Sequence, residues 1–170
     1  MERNSSRFIL DTTRLSYDQA RLACQQLGPN TDLATPRTPE EVRDLKNFME
    51  NLLESEIEYV WRDEYTNPSN IGFWIGGRSE DQSDLWTWVD QIPIPIPAKN
   101  DPGFDNWFQI AQYHYSEPNV YRKKDQCVFM SIKDKLMSFE SFGKWFDDSC
   151  HENKYFVCEQ QKITMQSSFL

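Results

Sequence analysis

The sequence predicts an α+β domain. Two stretches in the first third repeat apolar residues at helical spacing, whereas the later apolar runs are short, aromatic and strand-like. The order is one strand, two helices, then strands with a long irregular segment between about 91 and 126. With no helix between the late strands, the sheet is not of the parallel, helix-crossover kind. At 170 residues there is room for one domain with a real core.

Each element has its own local cause. Phe8 to Leu10 gives a short first strand. Ser16 reads as a helix N-cap, with Gln19 three residues on completing a capping box. Tyr17, Ala20, Ala23, Cys24 and Leu27 then recur at helical spacing until Gly28-Pro29 stops the run. A second helix opens at Thr38-Pro39-Glu40-Glu41, where proline takes the first helical position and acids follow near the positive end of the dipole. Val42, Leu45, Phe48, Met49, Leu52 and Leu53 form its apolar stripe, a core face.

Residues 55 to 72 are polar and aromatic, with Asn67-Pro68 as a turn, and read as a long loop or partly ordered insertion. Phe73-Trp74-Ile75-Gly76-Gly77 reads as a buried strand, and Leu85-Trp86-Thr87-Trp88-Val89 as an alternating one. From Gln91 to Pro97 proline alternates with isoleucine, so regular ladder donation fails and the segment reads as extended loop. This run either presents an apolar patch to a protein partner or packs back on the core. Cys127 to Ile132 and Tyr155 to Cys158 give two late strands.

Composition narrows the function. Lys and Arg number 18 against 27 Asp and Glu, a net charge of -9, which lacks the basic footprint a nucleic-acid binder needs. No apolar run approaches the roughly 20 residues of a membrane span. Four cysteines, Cys24, Cys127, Cys150 and Cys158, are spaced too widely for zinc knuckles. They suit two disulfides in an oxidising compartment, with three pairings open, or buried thiols in a cytosolic domain. Met1 does not open a charged and then apolar leader, so the residues alone fit either a secreted protein whose signal is removed or a cytosolic one. Asn4-Ser5-Ser6 fits a glycosylation acceptor. His114 and His151 have no nucleophile or acid arranged with them, which gives catalysis little support.

A series of ordered motifs then resembles the C-type lectin-like domain. It runs from Tyr17-x-x-Ala20-x-x-x-Cys24 and Leu33-Ala34-Thr35-Pro36 through Phe73-Trp74-Ile75-Gly76-Gly77, Trp86-x-Trp88-x-Asp90 and Asn106-Trp107 to Glu117-Pro118-Asn119. Cys127, Gly143-Lys144-Trp145, Cys150 and Tyr155-Phe156-Val157-Cys158 close it. The resemblance covers residues 6–160, with 1–5 and 161–170 as flexible termini. It implies two helices packed on small antiparallel sheets, a long irregular ligand-binding loop, and the pairings Cys24 with Cys158 and Cys127 with Cys150. It also implies a non-enzymatic carbohydrate-binding module in a secreted or extracellular setting, an ectodomain fragment included. Its partners would be glycans or glycoproteins, or else a protein; nucleic acid and a membrane span are not expected.

By the same resemblance the site is a calcium ion held by hard oxygens, with a sugar's vicinal hydroxyls completing the shell. Glu117 and Asn119 take the first two ligand places around a proline that is usually cis in the family. Asp125, two before Cys127, and Asp147, two after Trp145, take the next two. Glu117, Asn119 and Asp125 would also contact the sugar, and Glu-Pro-Asn goes with mannose-type sugars. The family's Trp-Asn-Asp is here Trp145-Phe146-Asp147, and phenylalanine cannot ligate a hard cation. Weaker calcium binding is the expectation, with Phe146 stacking on a sugar face and Phe146→Asn restoring affinity. Val120 stands where an auxiliary calcium position would need an acid.

Blander readings stand beside these. Glu117-Pro118-Asn119 alone often makes only a turn. Trp74, Trp86, Trp88, Trp107 and Trp145 read as core and loop anchors, and Arg122-Lys123-Lys124 as a solvated charge run rather than a grip on acidic glycans. A lectin-like domain whose calcium site has decayed, binding a protein instead, is the alternative function.

Overall fold

In a computed structural model, the structure describes residues 7–53, 72–79, 85–119, 125–132, 135–136 and 139–161. The proposed glycosylation triplet, most of the 55–72 segment, Val120, Arg122-Lys123-Lys124 and most of both termini lie outside the described residues.

The chain begins with strand β1 (Arg7–Leu15), longer than Phe8 to Leu10. Helix α1 (Tyr17–Gln26) follows, buries Tyr17, Ala20 and Cys24, and ends at Leu27 ahead of Gly28. Ser16 is its N-cap, yet its side chain makes no cap hydrogen bond; the hydroxyl donates to Gln19 Oε1 at 3.1 Å. The expected reciprocal capping box is therefore not made here, because the two side chains satisfy each other.

Such a box does form at the second helix, α2 (Pro39–Leu53), which follows the short strand β2 (Thr31–Leu33). Glu41 N–H donates to Thr38 Oγ1 at 3.2 Å, and Thr38 N–H donates to Glu41 Oε2 at 3.1 Å.

Strands β3 (Gly72–Ser79) and β4 (Trp86–Trp88) come next, then the small hairpin of β5 (Gln109–Ile110) and β6 (Tyr115–Ser116). The last strands are β7 (Gln126–Ser131), the pair β8 (Lys135–Leu136) and β9 (Phe139–Glu140), then β10 (Trp145–Ser149) and β11 (Lys154–Gln160). The main sheet orders β1-β11-β3-β7-β10, with β2 beside β11 and β4 beside β3. All of its pairings are antiparallel except β11 with β3.

Strand alternation splits the core into two layers. Phe73, Ile75, Val128, Met130, Trp145 and Val157 point to one face, where Val42, Leu45 and Met49 of α2 cover them. Trp74, Cys127, Phe129, Phe146, Phe156 and Cys158 point to the other, where Tyr17, Ala20 and Cys24 of α1 lie. The tryptophans Trp74, Trp86, Trp88, Trp107 and Trp145 are all buried. Ile94 and Ile96 of the proline–isoleucine run are buried in the α2-side layer, and Ile94 N–H donates to Trp86 O at 2.8 Å. That run packs back on the core, leaving Ile92 exposed.

Two disulfides close the frame. Cys24–Cys158 ties α1 to β11 across 134 positions, and Cys127–Cys150 joins the start of β7 to the end of β10. Loop-closure entropy makes the wider bridge worth about 4 to 5 kcal/mol before any strain.

Candidate functional site

The site forms where irregular chain is laid against the edge strand β10. The Asn106–Phe108 segment runs parallel to β10, with Trp145 N–H donating to Asn106 O at 3.0 Å and Phe108 N–H donating to Trp145 O at 3.0 Å. Glu117 N–H in turn donates to Phe108 O at 2.9 Å, which fixes the loop after β6 beside the strand. The Glu117–Pro118 peptide is cis.

The side chains of Tyr115, Glu117 and Asn119 converge here through direct hydrogen bonds. Tyr115 donates its hydroxyl hydrogen to Glu117 Oε1. Asn119 Nδ2 donates to Glu117 Oε1 at 2.8 Å and to the Tyr115 hydroxyl oxygen at 2.9 Å. The Asn119 backbone N–H is shared between Asp147 Oδ1 at 2.9 Å and Glu117 Oε2 at 3.2 Å. One amide thus spans two carboxylates, one from the loop and one from β10.

The electrostatics follow from that closeness. Glu117 is only 3% exposed. Burial first, then the hydrogen bond and charge of Asp147, push its carboxyl up to about 8, against the pull of Tyr115 and Asn119. Burial and the neighbouring Glu117 also raise the Tyr115 phenol well above its ordinary value. Two acids pressed together in a dry place call for a proton or a metal cation between them.

Glu117, Asn119 and Asp147, three of the four expected ligand residues, are therefore brought together. Their hard oxygens fit part of a calcium shell, and waters or a ligand's hydroxyls can supply the remainder. Asp125 stands apart. It lies at the start of β7, its carbonyl accepting from Cys150 N–H at 3.3 Å, three residues along β10 from Asp147. Its carboxylate faces Arg78 of β3, with Nη2 3.7 Å from Oδ2. Among the described residues, no group of three or more Asp, Glu, His or Cys side chains gathers as a metal site.

Phe146 corrects an expectation. It is 5% exposed and stacks between Phe108, at 4.9 Å, and Phe129, at 5.5 Å. Strand alternation sends it to the α1-side core while its neighbour Asp147 faces the loop. No ring face is left for a sugar.

Sequence reasoning missed Tyr115 and Arg78. The place of Tyr115 two residues before Glu117 was the signal available for the first. Arg78 reaches Asp125 only through the pairing of β3 with β7, where Arg78 sits opposite Cys127.

A two-layer disulfide-framed fold with an oxygen-rich loop beside its edge strand defines a lectin-type recognition domain rather than an enzyme. The family model described as the lectin C-type domain matches residues 13–160, and the chain belongs to that family, whose members are generally carbohydrate-binding. Horse (Equus caballus) E-selectin is 28% identical over 162 residues, covering 94% of this chain and 20% of its own length. A C-type lectin, galactose-binding isoform, from Hoplocephalus stephensii is 23% identical over 145 residues, covering 85% of this chain and 70% of its own. The chain thus spans about a fifth of the selectin it matches. The crystal structure of CEL-IV superposes with a TM-score of 0.65 at 19% identity, covering 99% of this chain and 95% of the other, and shares the fold. Among the described residues, no helix is long and apolar enough to cross a membrane.

Proposed function

We propose that this domain binds glycans bearing mannose-type vicinal equatorial hydroxyls, outside the cell, with calcium bridging sugar and protein at Glu117, Asn119 and Asp147. The observation carrying the reading is the Asn119 N–H shared by two carboxylates, one of them buried. In this arrangement Glu117 and Asp147 would supply carboxylate oxygens, and Asn119 holds its amide beside them. When bound, calcium would supply the positive charge that lets sugar hydroxyls act as ligands. Around it, Tyr115 orients Glu117 through its hydroxyl, and the Asn119 side chain donates to the same carboxylate. Two disulfides support an oxidising, extracellular location.

Calcium titration followed by thermal melting tests this, together with a glycan array run with and without chelator. The expected result is a melting temperature that rises with millimolar calcium and mannose-type binding that chelator abolishes. An unchanged melt and a blank array sink the reading. The buried Phe146 and the engagement of Asp125 with Arg78 favour a second one, a lectin-like surface that recognises a protein without calcium.

A further inference from the structure

We infer that the cleft between β2 and the end of β11 is a second ligand site, one that takes a polyhydroxylated primary amine, an amino sugar, without calcium. It lies apart from the site beside β10, since β3 and β7 stand between β11 and β10. Its occupant is therefore independent of what binds there.

The cleft is bounded by the end of α1, by β2 and the segment after it, by the turn after β4 and by the end of β11. It encloses about 290 Å³, near the small end of the ligand-pocket range of roughly 300–1,000 Å³, which suits a single sugar ring. Register sets its charge. Asp32 and Glu159 are opposite partners where β2 pairs antiparallel with β11, so two acids meet on one face of the ladder. Like charges so placed are destabilising unless each finds a cation. Arg21 answers Asp32, with Nε 3.1 Å from Oδ1 and Nη2 3.1 Å from Oδ2. Arg37 answers Asp90 and also donates from Nη2 to Thr35 Oγ1 at 3.4 Å. Glu159 receives the Thr35 N–H at Oε2, 3.1 Å away, and has no cationic partner among the described residues. Two guanidiniums thus face three acids, and the negative charge left over sits on Glu159.

A primary ammonium matches that charge with three N–H donors. The other walls decide what carries it. Thr31, Thr35, Asn30 and Gln161 line the cleft with hydroxyl and amide groups that both donate and accept, as sugar hydroxyls require. Its apolar walls are Leu33, which is 1% exposed, and Val89. The aliphatic stem of a lysine would lie against polar groups here, whereas a hydroxylated ring would bond to them. Among the described residues no three acids gather as a metal site, which points to an organic cation.

An NMR titration of the full chain in chelator, which silences any calcium site, tests this with D-glucosamine, D-glucose and lysine amide as probes. Glucosamine should shift the amide signals of Thr35 and Glu159, and glucose and lysine amide should bind about tenfold more weakly. Glu159→Gln keeps an acceptor for the Thr35 N–H and should weaken glucosamine about tenfold. Gln161→Lys, at an exposed position lining the cleft, places a tethered ammonium there and should weaken it to a similar extent. No shift at these amides, or shifts confined to Glu117 and Asn119, overturns the inference and leaves the calcium reading untouched. Equal binding of glucose or of lysine amide overturns it too, as does undiminished binding by Glu159→Gln. Should Glu159→Gln fail to fold, Gln161→Lys carries the test, and undiminished glucosamine binding by that variant overturns the inference.

Discussion

Strand β10 has two faces that solve the same electrostatic problem in opposite ways. Asp147 and Asp148 are neighbours, so alternation sends their side chains to opposite sides. Asp148 turns toward α1 and meets Lys154 at 2.8 Å, a pair only 11% and 4% exposed. The Lys154 ammonium also sits 4.3 Å above the Phe129 ring, and burial lowers its pKa against the pull of Asp148. Asp147 turns the other way and meets Glu117, another acid. The first face is structural: opposite charges paired beneath stacked rings. The second sets two carboxyl groups against each other with no opposite charge between them among the described residues, and it is the face to which the proposed function assigns a cation. Local charge pairing separates the two faces more sharply than burial does, since Asp147 and Asp148 are both partly buried.

Four substitutions would break or sharpen that contrast. The largest effect belongs to Phe146→Asn, which removes a ring stacked between Phe108 and Phe129 and leaves an amide in its place. It should cost about 4 kcal/mol in denaturant unfolding and give no gain in calcium affinity. A tighter calcium site would show that the ring does not belong to the structural face.

Asp148→Ala comes next. It strands a buried ammonium, and about 3 kcal/mol of stability should be lost; the double replacement Asp148→Leu with Lys154→Met should recover most of it. Urea denaturation of the three proteins gives the comparison, and a harmless single change would mean that the pair is not closed.

On the other face, Glu117→Gln should behave in reverse. Removing one of two crowded acids should leave stability in chelator unchanged or raised by about 1 kcal/mol, while the calcium-dependent melting shift disappears. A shift that survives would remove Glu117 from the site. Smallest is Tyr115→Phe, which deletes the hydroxyl between Glu117 and Asn119. About 1 kcal/mol should be lost in chelator, with calcium affinity weakened rather than abolished, as read by titration.

Much of this protein was legible in its residues. The 3.6-residue stripes of α1 and α2 and the aromatic strand runs depend on local spacing, and the structure reproduces the elements, with Leu27 left exposed past the end of α1, β3 longer than expected and β4 shorter. Glu117, Asn119 and Asp147 were also named from order along the chain, and they do meet. The β10 strand was not anticipated, because Trp145-Phe146-Asp147-Asp148-Ser149 mixes large apolar and charged residues without simple alternation. Each of its faces is buried at one point and polar at the next.

By itself the sequence determined the two helices, the α+β class, the motif order that led to the disulfide pairing, and the residue types a calcium-assisted site would need. Only the tertiary structure decided which of those residues share a place. It sent Phe146 into the core, set Asp147 against Glu117, and gave Asp125 to Arg78. The reason is register: a side chain's neighbours along the chain follow from spacing, but its neighbours across a sheet depend on how separate strands align, and a shift of one residue exchanges the two faces.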